Sequence, residues 1–142
     1  MRNKQKGFSL IELLIVVAII LIIAAIAIPN LIRSKMAANE ASAVATLRTL
    51  NTAEVVYSST YAIPTVFAVS LNALGDGGNV ANCAPATTPV ATSACLIDGA
   101  IENATAAGVP KSGYQLTYTN PAGGYTIKND PVNVNSTGVR GF

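Results

Sequence analysis

Histidine and tryptophan are absent from the 142 residues, and charged residues make up only 11% of them. Without histidine, the usual triads and imidazole acid/base pairs have no proton carrier. Zinc is disfavoured for a related reason, because the cysteines have neither an imidazole nor clustered acids to complete a site. The seven carboxylates are scattered along the chain. The cluster Gly75-Asp76-Gly77-Gly78 is not followed by a helix carrying a lysine, as a phosphate-binding loop requires. No stripe of Arg and Lys interleaved with aromatics speaks for a specific nucleic acid. The sequence therefore assigns no catalytic, cofactor-binding or metal-ligating residue, and it reads as a chain that is not an enzyme and needs no cofactor.

What the chain does have is apolar length. Leu13 to Ile28 is sixteen apolar residues without a break, and Phe8 to Ile28 adds five more with only Ser9 and Glu12 polar. Twenty-one helical residues reach about 32 Å, enough for a hydrocarbon core of ~30 Å. Arg2, Lys4 and Lys6 precede the run, and Arg33 and Lys35 follow it. That bias favours an N-in, C-out orientation. A secretory signal peptide places its small-residue cleavage site after the apolar region. Here the small residue, Gly7, comes before it, so cutting there would keep the apolar segment and make Phe8 the new N-terminus. Glu12 would then be the fifth residue of the mature chain. A carboxylate inside a bilayer costs about 2.5–3.5 kcal/mol, so a plain anchor gains nothing from it beyond a small macrodipole benefit at the helix start. The alternative is that it awaits a cation.

Residues 3 to 35, with Lys6-Gly7-Phe8 leading into Ser9-Leu10-Ile11-Glu12 and the apolar run, closely resemble the class III leader and N-terminal helix of bacterial type IV pilins. The resemblance is faint beyond that segment. It implies that a prepilin peptidase cuts between Gly7 and Phe8 and methylates the Phe8 amine. It also implies that Phe8 and Glu12 pair within or between subunits during assembly, and that Pro29 marks a kink. The fold class implied is α+β: a long N-terminal helical spine, its first half membrane-spanning, packed on a small antiparallel sheet. The expected organisation is a leader (1–7), a membrane and filament-core half-helix (8–30), an amphipathic half-helix (31–61), a loop region (62–113) and an antiparallel β meander (114–142).

Residues 31 to 61 contain no Gly or Pro and are rich in good helix formers. At 100° per residue, Met36, Ala43, Leu47, Leu50, Tyr57 and Tyr61 share one broad face, with Glu40 and Glu54 intruding on it. Ala38, Ala41, Ala45, Thr49, Ala53 and Val56 form the opposite face. One face suits the chain's own sheet and the other suits neighbouring helices. As one helix, Phe8 to Tyr61 would measure about 80 Å. After Tyr61 the composition shifts to Pro, Gly, Asn and Thr, a long loop with at most one short element. Period-two alternation predicts strands at Tyr114–Tyr118 and Gly124–Lys128, joined by a turn at Asn120-Pro121-Ala122-Gly123. Pro131–Val134 is a candidate third, edge strand. Cys83 and Cys95 lie on the expected external side, where an oxidising compartment favours a disulfide worth about 3 kcal/mol. Two isolated thiols are the alternative.

Removing Arg2, Lys4 and Lys6 from nine basic residues leaves six against seven acidic ones, so the basic pI of the precursor says nothing about nucleic acid. The resulting expectation is a subunit that polymerises through its N-terminal helix into a type IV pilus. Its partners would be identical subunits, the prepilin peptidase, an inner-membrane assembly platform with minor pilins, and the membrane before assembly. The precursor would sit in the inner membrane and the assembled form outside the cell. The competing expectations are a type II secretion major pseudopilin and a single-pass, membrane-anchored surface-binding protein. The matches to a glycosylation sequon at Asn103 and Asn135 read as chance in a chain this rich in Asn, Ser and Thr.

Overall fold

A computed structural model describes residues 7–61, 66–105, 109–121 and 123–142. The leader residues Arg2, Lys4 and Lys6 lie outside the described residues, as do positions 62–65 and 106–108 of the loop region and Ala122 of the anticipated turn. The chain divides into two compact units, residues 1–35 and 36–142. Helix α1, Leu10–Tyr61, contributes to both.

In the first unit, Gly7, Phe8 and Ser9 have no regular structure and α1 begins at Leu10. Every Leu, Ile and Val from Leu10 to Ile28 is exposed. Among the described residues, α1 is the one helix long and apolar enough to cross a membrane. Burying apolar surface is worth about 25 cal/mol per Å², so this segment demands a covering of lipid or protein. Pro29 lies inside α1. Its missing N–H deprives the Ala25 carbonyl of its usual donor.

In the second unit, α1 buries Ala43, Thr46, Leu50, Ala53, Glu54 and Tyr57. Steps of three and four residues keep these on one side of a 3.6-residue helix. Leu47 and Tyr61 pack at the edge of the same core. Ala53 departs from the expectation that it would face outwards. It sits only 60° around the helix from Leu50, within the wide arc that a core-facing helix buries. The rest of the proposed outer face, Ala38, Ala41, Ala45, Thr49 and Val56, is exposed.

The loop region holds more structure than the sequence suggests. Helix α2 (Leu71–Leu74) is capped by the Ser70 side chain on the Ala73 N–H. A 3-10 turn covers Val80–Cys83. Helix α3 (Gly99–Glu102) is capped by Asp98, which accepts from the Ile101 N–H at 2.8 Å. These pieces are too short to show a helical period, so only their caps and Gly/Pro punctuation are visible beforehand. Leu71, Ala73 and Leu74 of α2, with Ala94, Ile97, Ile101 and Ala104, fill the core over Leu50 and Tyr57. Buried Glu102 fixes the α2 exit, its two carboxyl oxygens accepting from the Asp76 and Gly78 N–H groups at 2.9 and 3.0 Å. A Cβ on Gly75 would meet the Glu102 carboxyl, so a larger residue there would have to displace that side chain. Cys83 and Cys95 form a disulfide across this loop.

Strands β1 (Tyr114–Thr119) and β2 (Thr126–Pro131) pair antiparallel, with Tyr114 opposite Pro131 and Thr119 opposite Thr126. This is the α+β class expected. The candidate third strand at Pro131–Val134 does not form. Pro131 ends β2, and Asn133 turns the chain by accepting from the Ser136 and Thr137 N–H groups at 3.1 and 2.9 Å. Beyond that turn Phe142 returns to the outer edge of β2, exchanging backbone bonds of 2.7 and 2.9 Å with Asn129.

Leu50 is fully buried at the centre of this core. Leu50→Ala is expected to destabilise the second unit by about 3 kcal/mol, the usual cost of such a cavity. Denaturant titration of the full chain in detergent micelles, followed by Tyr fluorescence, checks this.

Candidate functional site

The residues singled out at the N-terminus fall at the boundary between extended chain and helix. Ser9 is the last residue before α1, and its carbonyl accepts the Leu13 N–H at 3.3 Å. Glu12, three residues on, reaches back so that the Ser9 N–H donates to its Oε2 at 3.0 Å. This is one half of a capping box, an acid at the third helical position satisfying the amide of the residue before the helix. The sequence Ser9-x-x-Glu12 carries the signal for it. The other carboxyl oxygen, Oε1, has no hydrogen-bond partner among the described residues.

Phe8 is 81% exposed, and a Cβ built on Gly7 meets nothing within 4 Å. Nothing among the described residues therefore requires Gly7 to be small. An amine at Phe8 would be adjacent to the Ser9 amide that Glu12 already holds, about one helical turn from the carboxylate.

The second unit carries the outer face of α1. A shallow groove of about 560 Å³ runs along Ala37, Ala41, Val44 and Ala45, bordered by Glu40, Arg48, Arg140 and Phe142. A smaller one of about 380 Å³ continues past Thr49, Thr52 and Val56 to Leu96. The first groove's border is built by Glu40, one of the two acids that spoil the apolar stripe. Its Oε1 accepts from the Val139 N–H at 3.1 Å and its Oε2 from Arg140 Nη2 at 2.9 Å. One helical step away, Asn39 Nδ2 donates to the Thr137 carbonyl at 2.9 Å. Together they fasten the C-terminal segment to α1. The partner of Glu40 lies a hundred residues away, so the sequence shows the odd acid but not the clasp.

Residues 2–28 match the prokaryotic N-terminal methylation motif. The chain is 51% identical over 51 residues, 36% of its length, to the type IV major pilin protein PilA of Myxococcus xanthus, of which this covers 23%. It is 62% identical over 40 residues, 28% of its length, to the type IV wide pilus major component PilA4 of Thermus thermophilus, covering 30% of that protein. The chain thus spans less than a third of either relative's length. No solved structure matches it.

The hydrogen bond from Arg140, followed by that from Val139, holds the Glu40 carboxyl below its usual value. A lowered carboxylate contributes stability above its unfolded pKa and loses it as pH falls through the folded one. Acidification through the lowered folded value should therefore weaken the hold on residues 137–142. Hydrogen exchange should show protection of that segment falling on acidification, and Glu40→Gln should show the loss already at neutral pH.

Proposed function

We propose that this chain, a type IV pilin by its N-terminal segment, is a structural subunit that polymerises through its apolar helix into a type IV pilus. The observation that carries the reading is the combination at the start of α1. An exposed membrane-length helix opens with a carboxylate that has one oxygen without a partner among the described residues, close to the Gly7–Phe8 bond where we expect processing. Before assembly, lipid covers the helix. In the filament, the helices of other subunits cover it instead.

On this reading a prepilin peptidase cuts after Gly7 and methylates the Phe8 amine, giving Glu12 a cation within reach. Exchange of that amine for a neighbour's sets the register, because any offset leaves a buried charge without a partner, a costly state. The exposed small residues Ala37, Ala41, Ala45 and Thr49 permit close helix approach on the other face. Pro29 supplies the point where the spine bends as subunits leave the membrane. The helix crosses the inner membrane N-in and C-out, and the second unit emerges outside, where the Cys83–Cys95 bridge is stable. An assembly platform and minor pilins would be the partners of extraction.

Two substitutions separate the steps. Gly7→Leu should block cleavage and leave the precursor in the membrane. Glu12→Gln keeps shape and acceptor but removes the charge, so leader cleavage should proceed while the sheared-filament fraction falls at least tenfold. Expressing each as the sole copy and blotting membrane and sheared fractions checks both. Normal filament yield from Glu12→Gln would reduce Glu12 to a helix cap.

A further inference from the structure

We propose that Glu54 carries a proton in the folded chain, and that this proton closes a pH-sensitive latch joining α1, the strap at residues 66–70 and strand β1. Glu54 is fully buried. Its Oε2 accepts from the Ala68 N–H at 3.1 Å, and its Oε1 lies 2.5 Å from Tyr118 Oη. Tyr118 Oη in turn lies 2.6 Å from the Ala68 carbonyl oxygen, which also accepts from Asn120 Nδ2.

Three oxygens thus stand in a row with two short gaps. Each gap is at or below the ordinary O–H···O distance and needs a proton between the atoms. Tyr118 has one proton, and neither a carbonyl nor an ionised carboxylate has any to donate. The second must come from Glu54, which donates to Tyr118 as Tyr118 donates to Ala68. If Glu54 ionises, the Tyr118 proton turns towards it. The Ala68 carbonyl is then left against a bare oxygen and the strap is pushed away.

The surroundings favour the neutral acid. Among the described residues, the ionisable groups facing it are Tyr118 of β1 and Tyr125 just before β2, and no lysine or arginine acts on its carboxyl. Tyr57, one turn on in α1, gives its hydroxyl to the Ala91 carbonyl at 2.8 Å. The strap and α2 contain no ionisable side chain. Burial raises the Glu54 carboxyl above its usual value, outweighing the bonds that Tyr118 and Ala68 would give to its ionised form. With the folded value above the unfolded one, the native state binds the extra proton. The latch's contribution is complete below the unfolded pKa and is lost as pH rises through the folded one.

The test uses the full chain in detergent micelles. Amide exchange in the 66–70 segment, corrected for intrinsic chemistry, should accelerate at least tenfold as pH is raised from about 5 to about 9, the direction that a carboxyl raised above its usual value dictates. Glu54→Gln places an amide N–H where the acid proton was and keeps an acceptor for Ala68, so its exchange should be independent of pH. At the acidic end of that range the infrared spectrum should contain a protonated-carboxyl band that Glu54→Gln removes. Equal pH dependence in the two proteins would overturn the proposal. So would wild-type exchange in this segment that does not respond to pH, a result readable even if the variant fails to fold.

Discussion

One carboxylate placed a single turn into a membrane-length apolar helix constrains the whole N-terminal part of the chain. Lipid can cover the isoleucines and leucines around Glu12, but it cannot neutralise the charge. The Ser9 amide occupies one of its oxygens and anchors the helix start at Leu10. The other oxygen is left for a group the described chain does not provide. Under the proposed processing, a scissile bond before Phe8 would create such a group. Under this reading, cleavage, membrane residence and assembly are linked by the cost of one unpaired charge.

The second unit manages its own acids in a different way. Glu40, Glu54 and Glu102 each fasten a loop through backbone N–H groups: the C-terminal segment, the 66–70 strap and the turn after α2. A small core of mainly Ala, Leu and Ile side chains does not order three loops by packing alone. Carboxyl oxygens accept backbone amides and hold extended chain against a helix that has no backbone donors to spare. The disulfide adds a fourth fastening where the loop is most exposed. With its head fastened internally, the outer face of α1 is left free for contacts with other molecules.

The long helix, its apolar half and the two strands were legible because each is a local pattern: a continuous run, a 3.6 period or an alternation. Ala53 was misplaced because the position lies at the margin of the buried arc, where small residues give no hydrophobic signal. The short helices α2 and α3 escaped detection because four residues cannot show a period. Glu40 and Glu54 were visible only as blemishes on an apolar face. Their partners, Arg140 and Tyr118, lie 100 and 64 residues on, and no local rule links them. The expected strand at Val134 failed because the turn-forming Asn133–Thr137 segment outweighed the β propensity of two valines.

The central claim is that the Glu12 carboxylate meets the Phe8 amine once the leader is gone. Solid-state NMR on purified filaments, with ¹⁵N on phenylalanine and ¹³C on glutamate side-chain carboxyls, measures that approach directly. The account predicts a methylated Phe8 terminal nitrogen whose signal dephases against a carboxylate carbon, at the separation of a hydrogen-bonded ion pair with N···O of about 3 Å. A filament whose terminal nitrogen shows no carboxylate within that range, or whose chains still begin at Met1, would contradict it.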